Sequence, residues 1–155
     1  MADLERNKSI VRRFVEEFQS GRNEAAADEL LASELMIHHG QAWSETSPVD
    51  REEAKRRFAA TFHAAFPDLH VVIHDQIAEG DKIVTRKTFF GTHRGQFMGV
   101  LPTGKDVTID MIDIVRIENA QMVEHWNVID LMGLMQQLGA IPPSPPRSVG
   151  DVETR

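Results

Sequence analysis

The chain has 155 residues, 41% of them hydrophobic and 26% charged, with a formal net charge of -7 and a mean hydropathy of -0.31. This composition is typical of one soluble globular domain, and an acidic chain without a basic block is a poor ligand for nucleic acid. The absence of cysteine excludes disulfides and thiolate chemistry. No apolar run is long enough for a membrane helix, and the charged N-terminus does not resemble a secretory signal. We therefore expect a cytoplasmic protein.

The first part of the chain predicts helices. Apolar residues recur at helical spacing between Leu4 and Phe18, and the segment EAAADELLA predicts a second, short helix. A third helix is expected to begin at Asp50, because an Asp followed three residues later by Glu53 is a capping signal, and to end before Pro67. Between the second and third helices, ELMIHHG predicts a short strand and QAWSETSPV a loop.

After residue 67 the apolar residues alternate, which is typical of strands. The segments DVTIDMIDIVRI and MVEHWNVID predict a hairpin around the turn ENAQ, followed by a short helix, LMGLMQQLG. Helices followed by antiparallel strands indicate an α+β fold, in which the N-terminal helices pack over the concave side of a cone-shaped, curved antiparallel sheet. We expect one domain over residues 1–140 with an interior pocket, and an extended or disordered Pro-rich tail over residues 141–155.

Two segments, GTHRGQFMGVLPTGK and IDIVRIENAQMVEHWNVIDLMGLMQQLG, resemble the SnoaL-like polyketide cyclases, also called ester cyclases, whose cone-shaped fold is shared with nuclear transport factor two and ketosteroid isomerase. The resemblance spans about residues 5–139. It implies a cofactor-independent intramolecular aldol condensation and a homodimer or homotetramer. Asp130 matches the family's acid/base aspartate, and Asp113 or Arg116 would occupy the place of a polar residue on the preceding strand. Some members use a helix tyrosine, but this chain has no Tyr and carries Phe14 and Phe18 there.

The carboxylates suit this chemistry, because aldol closure begins when a base removes a proton next to a carbonyl. We predict that Asp130 is the base and that Asp113, flanked by two isoleucines, is a supporting carboxyl. Ketosteroid isomerase offers the precedent of an Asp base beside a second, protonated Asp. Asp130 also precedes a helix, where an Asp often serves only as the N-cap. His125 is a further catalytic candidate, since its ordinary pKa suits proton transfer near neutral pH.

Strand alternation predicts which of these side chains face the pocket. A two-residue turn within ENAQ would pair residue 113 with residue 126, which places Asp113, Trp126 and Asp130 on one face and Arg116 and His125 on the other, unless a β-bulge intervenes. We expect the first group inside, where Trp126 would be a flat wall for the substrate. His125 is then expected outside, near Arg116 or at a subunit contact.

The remaining candidates are contacts for the substrate. The apolar side chains among them are most simply core residues, some of which must border the cavity: Phe14, Phe18, Phe62 and Met111. His39 is a candidate at the pocket mouth, but adjacent histidines on an extended segment point to opposite sides, so no metal site is predicted. His93 is expected in a mobile loop over the entrance. No nucleotide-binding motif is present, and no cofactor is predicted.

The sequence therefore predicts a cofactor-independent enzyme for an apolar small molecule that contains a carbonyl group. One alternative is another enzyme of the same fold, such as an isomerase, a dehydratase or a hydroxylase-like protein. The other is a module that binds small molecules or dimerises without catalysis.

Overall fold

The computed structural model describes residues 3–38 and 47–145. Its helices are α1 (Leu4–Arg13), α2 (Glu24–Leu30), α3 (Arg51–Phe58) and α4 (Leu131–Gln137), with π-helical turns at Phe14–Ser20 and Ala59–His63 that continue α1 and α3. Its strands are β1 (Leu31–His38), β2 (Ser47–Asp50), β3 (His70–Glu79), β4 (Lys82–Thr92), β5 (Asp106–Glu118) and β6 (Gln121–Ile129). None of these helices is long and apolar enough to cross a membrane.

The strands form one open, curved sheet in the order β2-β1-β6-β5-β4-β3. All neighbours are antiparallel except β1 and β6, which are parallel. The predicted α+β class and curved sheet are confirmed, although the sheet is mixed and does not close into a barrel. The predicted loop at residues 41–49 is wrong at its end, because residues 47–50 pair with β1 as an edge strand. An edge position tolerates Pro48, which has no N–H to donate.

Each of the four helices begins at a polar residue whose side chain caps it. The predicted cap at Asp50 is confirmed, since its Oδ1 accepts a hydrogen bond from the backbone N–H of Glu53 at 2.8 Å. Asp3, Asn23 and Asp130 cap the other three helices in the same way. Each cap satisfies an N–H that has no partner inside the helix and contributes about 1 kcal/mol.

The chain after β4 is anchored, in contrast to the expected mobile loop. The His93 side chain is buried, and its backbone N–H donates to the carbonyl of Lys105 at 2.8 Å. The N–H groups of Arg94 and Gly95 both donate to the carbonyl of Ala65 at 3.0 Å, and Phe97 is buried beyond them. This segment therefore packs as part of the hydrophobic core that lies next to α4.

The hairpin between β5 and β6 has the predicted two-residue turn. Asn119 and Ala120 have φ angles of +50° and +62°, and Glu118 pairs with Gln121 across them. Positive φ at both central residues is the geometry of a type I′ turn, whose twist matches that of the two strands. The register next to the turn is thus the expected one, and it changes only further along the hairpin.

Candidate active site

A cavity of about 410 Å³ lies between the helices and the concave face of the sheet. This volume falls in the range of small-molecule sites. Most of its wall is apolar, and the four predicted lining residues Phe14, Phe18, Phe62 and Met111 all border it. Two more phenylalanines, Phe58 and Phe89, complete an aromatic wall in which successive rings lie 5.1 to 6.1 Å apart.

Polar side chains enter this apolar cavity mainly from the central strands. Alternation along β5 turns Asp113 inward between the buried Met111 and Val115. Strand β6 adds His125 and Asn127 to the lining. Strand β4 adds Lys87, and the first π-helical turn adds Gln19.

Asp113 and Lys87 form a buried ion pair at the floor of the cavity. Lys87 Nζ lies 2.5 Å from Asp113 Oδ2, and the two side chains are only 2% and 3% exposed. Lys87 Nζ also donates to Gln19 Oε1 at 3.0 Å. Burial by itself would raise the pKa of Asp113, but the positive charge of Lys87 and the hydrogen bond from His125 outweigh it and lower that pKa. These contacts favour the carboxylate form of Asp113, in contrast to the protonated carboxyl of the ketosteroid isomerase precedent.

His125 approaches the same carboxylate oxygen. Its Nε2 lies 3.4 Å from Asp113 Oδ2, at the long end of a hydrogen bond. An Nε2–H that donates to Asp113 leaves the lone pair of the imidazole on Nδ1. A histidine held by a carboxylate in this way is a suitable general base, because the carboxylate orients the ring and stabilises the imidazolium that forms.

Two acceptor atoms of the site have no partner. Within the described residues, Asp113 Oδ1 and Asn127 Oδ1 are buried and lack a hydrogen bond. Buried polar atoms are normally paired, so atoms without a partner at a cavity wall indicate where a ligand can donate hydrogen bonds. Asp113 and Asn127 are direct neighbours across β5 and β6, which places both acceptors at one level of the cavity.

The predicted division of β6 between inside and outside is wrong, because a β-bulge intervenes. Arg116 pairs with Glu124 and Ile117 with Met122, so Val123 is an extra residue without a counterpart. The extra residue reverses the alternation beyond it. His125, expected outside, lines the cavity, and Asp113 pairs with residue 127 in place of residue 126.

Trp126 and Arg116 do not line the cavity. Trp126 stacks on His38 with a centroid separation of 4.8 Å and an interplanar angle of 3°. Arg116 Nε donates to Glu124 Oε2 at 2.8 Å, and His38 Nε2 lies 2.8 Å from Glu124 Oε1. These residues form a cluster on the outer face of the hairpin. The expected contact of Trp126 with a ligand in the cavity is therefore not supported, and neither is a substrate-binding place for Arg116 on the preceding strand.

Asp130 lies at the end of β6, exposed and outside the cavity lining. Its Oδ1 accepts a hydrogen bond from the backbone N–H of Gly133 at 2.9 Å, so it caps α4 as the alternative interpretation predicted. A Cβ at Gly133 would collide with this carboxylate. The expected position of Asp130 inside the pocket is therefore wrong. His39 lies outside the described residues.

Five polar lining residues are absent from the candidates drawn from the sequence: Gln19, Arg57, Thr61, Lys87 and Asn127. Lys87 had a visible signal, because it alternates with Ile83, Thr85 and Phe89 in KIVTRKTFF and so shares the buried face of β4. Gln19 had no visible signal in the sequence, because the π-helical turn places its side chain on a different face from the one that α-helical spacing predicts. Asn127 was hidden by the bulge.

In residues 3–38 and 47–145, no three acidic or histidine side chains are grouped to hold a metal ion.

Comparisons with known proteins agree with this architecture. The family model of the SnoaL-like polyketide cyclases matches residues 9–138. The chain is 25% identical over 138 residues to the aklanonic acid methyl ester cyclase DauD of Streptomyces sp. (strain C5), covering 88% of this chain and 83% of that protein. Among solved structures, IdmH of Streptomyces antibioticus, a candidate polyketide cyclase, superposes with a TM-score of 0.76 and 30% identity over 86% of this chain and 98% of its own. AclR of Streptomyces galilaeus, a candidate hydroxylase, superposes with a TM-score of 0.79 and 26% identity, over 93% of this chain and 87% of its own.

Proposed function

The chain belongs to the SnoaL-like polyketide cyclase family, and we propose that it is a cofactor-independent enzyme that closes a ring in an apolar carbonyl substrate by proton transfer and aldol addition. One observation carries this proposal. A histidine and an ionised carboxylate meet inside an aromatic cavity, where His125 Nε2 faces Asp113 Oδ2.

In the proposed reaction His125 is the acid and base. It takes a proton from the carbon next to a substrate carbonyl, and the electron pair remains on the substrate as an enolate. The enolate carbon forms a bond to a second carbonyl carbon of the same molecule, and the resulting alkoxide takes the proton back from His125. Asp113 remains ionised throughout and stabilises the imidazolium by charge and hydrogen bonding. No atoms are gained or lost, so the product is an isomer of the substrate.

The cavity also supports the proposed class of substrate. Its five phenylalanines present flat apolar surfaces that suit a planar, largely hydrophobic molecule. The unpaired acceptors on Asp113 and Asn127 would bind hydroxyl or enol groups of that molecule. The cyclase DauD is named for a methyl ester of aklanonic acid, and the family is that of the polyketide cyclases, so we extend polyketide-like esters as a class of substrate to this chain as part of the proposal.

The test is a turnover screen with β-diketones and polyketide-like esters, analysed by chromatography and mass spectrometry. We expect an isomeric product with the wild type, and loss of turnover by about 100-fold or more in His125→Gln, the range for removal of a general base. Asp130→Asn is the matched control, because that residue caps a helix outside the cavity. Equal turnover in His125→Gln and wild type would contradict the assignment, and a loss confined to Asp130→Asn would restore the family's strand-end aspartate as the base.

A second candidate reaction follows from the likeness to AclR, which is described as a candidate hydroxylase. The same screen separates the two, since ring closure leaves the mass of the substrate unchanged and hydroxylation adds one oxygen atom. Saturable binding without any product would favour a module that binds small molecules.

We further propose that the protein forms a homodimer through the outer face of the sheet. Ile112 and Val128 are direct neighbours on β5 and β6 and are 49% and 74% exposed. Adjacent exposed apolar side chains on a sheet face are typical of an interface. Light scattering is expected to give a dimer mass for the wild type and a monomer mass for Val128→Lys. A monomeric wild type would contradict this proposal and leave the active-site assignment intact.

A further inference from the structure

Lys87 is a buried cation that the proton transfer described above does not use. Lysine is rarely buried completely, because its charge is costly to remove from water. Here the side chain is 2% exposed, projects from β4 among apolar residues and borders the cavity. A lysine retained in such a place requires a physical reason.

The contacts of the ammonium group leave one of its donors available. A lysine ammonium carries three N–H groups. Among the described residues, its polar partners are Gln19 Oε1 at 3.0 Å and Asp113 Oδ2 at 2.5 Å, which account for two of them. The face of Phe89 lies 5.5 Å from Nζ and attracts the charge without taking up a conventional hydrogen bond. A third donor is therefore free to bind an oxygen atom of a ligand.

The position of this donor is held from the helical layer. Gln19 belongs to the π-helical turn that follows α1, and its backbone carbonyl accepts a hydrogen bond from His63 Nε2 at 2.9 Å. The side chain of Gln19 reaches Lys87 across the cavity wall. Lys87 is thus fixed between a helix and a strand, and it does not have to reorganise when charge develops beside it.

Among the buried side chains of the cavity the charges balance only if Lys87 is included, since Arg57 at the wall is exposed and paired with Glu53. Before the reaction, the Lys87 cation cancels the Asp113 carboxylate, and His125 and the substrate are neutral. After proton transfer, the imidazolium and the enolate are both charged, and the enolate needs a cation that Asp113 does not already neutralise. Lys87 and His125 both contact Asp113 Oδ2, so two cations would then share one carboxylate next to one enolate. Net neutrality is preserved at both stages in a cavity where charge is poorly screened.

We propose, on the basis of the function proposed above, that Lys87 is a further catalytic residue whose ammonium stabilises the oxyanion of the substrate when His125 removes the proton. The alternative is that Lys87 only neutralises Asp113. The two roles differ in one measurable property, because only an oxyanion-binding lysine favours the anionic form of a bound ligand.

The test measures the ionisation of a bound phenol, which mimics an enolate and does not turn over. A nitrophenol is titrated into the protein, and the visible absorbance of its phenolate gives the ionised fraction as a function of pH. In the wild type we expect the pKa of the bound nitrophenol to fall by about one unit, a tenfold preference for the phenolate, as an opposite charge within hydrogen-bonding distance produces. We expect this preference to be lost in Lys87→Met.

A second pair of variants keeps the test valid if Lys87→Met, which leaves Asp113 buried without its cation, fails to fold. Asp113→Asn retains the lysine and should bind phenolate at least as well as the wild type. The double variant Lys87→Met/Asp113→Asn removes both charges together and should bind nitrophenol with no phenolate preference. Equal phenolate fractions in Asp113→Asn and the double variant would overturn the proposal, as would an unshifted or absent complex with the wild type.

This experiment is independent of the reaction. If the substrate screen finds no ring closure but phenolate binding depends on Lys87, the oxyanion site stands and the proposed reaction fails. If ring closure is found and phenolate binding does not depend on Lys87, the reaction stands and the role of Lys87 is limited to neutralising Asp113.

Discussion

The two faces of the sheet at the β5–β6 hairpin hold the same kinds of group: one carboxylate, one histidine and one cation, with Lys87 supplied by β4 and His38 by β1. The inner set consists of Asp113, His125 and Lys87, and the outer set of Glu124, His38 and Arg116. Judged by distance to the histidine, the outer set is the better arranged, since its contact is 2.8 Å and the inner one 3.4 Å.

Surroundings separate the two sets. The inner carboxylate is 3% exposed and borders the cavity, whereas the outer carboxylate is 21% exposed and borders none of the cavity described above. Buried charges interact more strongly because water does not screen them. Only the inner set can contact a ligand in a cavity from which water is excluded. A constellation of reactive residue types is therefore a weak sign of function until burial and an adjacent cavity are known.

The largest expected difference between the faces is in turnover. His125→Gln should lower kcat by about 100-fold to 10,000-fold, the usual contribution of a general acid or base. His38→Gln, the matched change on the outer face, should leave kcat within about twofold, since surface substitutions away from a site have small effects. Steady-state kinetics on the substrate found in the screen provide the comparison. Similar losses in both variants would remove the distinction between the faces.

The second difference is in stability. Asp113→Ala should reduce the free energy of unfolding by about 3–5 kcal/mol, because it leaves the buried Lys87 cation without a partner. Glu124→Ala should cost about 1 kcal/mol or less, since its partners Arg116 and His38 are partly exposed to water. Urea denaturation at pH 7 measures both values. A cost for Glu124→Ala equal to that for Asp113→Ala would show that burial does not govern these pairs.

The third difference is in the response to acid. The pKa of Asp113 is lowered in the folded protein by Lys87 and His125, against the effect of burial. Its stabilising contribution is therefore complete above the unfolded pKa of about 3.9 and is lost as pH falls through the lower folded value. The part of the stability gap between wild type and Asp113→Asn that comes from the Asp113 charge should be present at pH 5 and be lost as pH falls below about 4. Denaturation at a series of pH values tests this, and a gap that is unchanged at the lowest pH would contradict it.

The smallest difference is in the response to salt. Raising the salt concentration to about 1 M shortens the screening length to about 3 Å. The modest cost of Glu124→Ala should then shrink, whereas the cost of Asp113→Ala should hardly change because water and ions do not reach the inner pair. Urea denaturation of both variants with and without salt measures the two changes. An inner pair as sensitive to salt as the outer one would indicate that water enters the floor of the cavity.

The elements that local signals determine were predictable from the sequence. The Asp50 cap, the Asn119–Ala120 turn and the helix after Asp130 follow from side chains that act on nearby backbone, and the structure confirms all three. The cavity phenylalanines on the helical segments, Phe14, Phe18, Phe58 and Phe62, follow from helical spacing in the same way. Lys87 was within reach too, because simple alternation along β4 places it on the buried face.

The pairing register of a strand beyond a bulge was not predictable, because one extra residue does not change the alternating pattern or the composition of the sequence. Val123 reverses the alternation of β6 and exchanges the expected positions of His125 and Trp126. A second shift, between Ile73 and Asp75 on β3, has the same effect on Ile77, which alternation assigns to the buried face and which is 64% exposed.

Because of the Val123 bulge, the set of β6 side chains that lines the cavity depends on one residue in the pairing of β5 with β6. With the bulge, β6 presents His125 and Asn127 to the ligand. The same strand paired without an extra residue would present Glu124 and Trp126 to it. Gaining or losing one residue at the bulge would thus exchange the side chains that face the ligand without substituting any of them. A one-residue insertion or deletion in this hairpin is therefore expected to change which reactive groups meet the ligand.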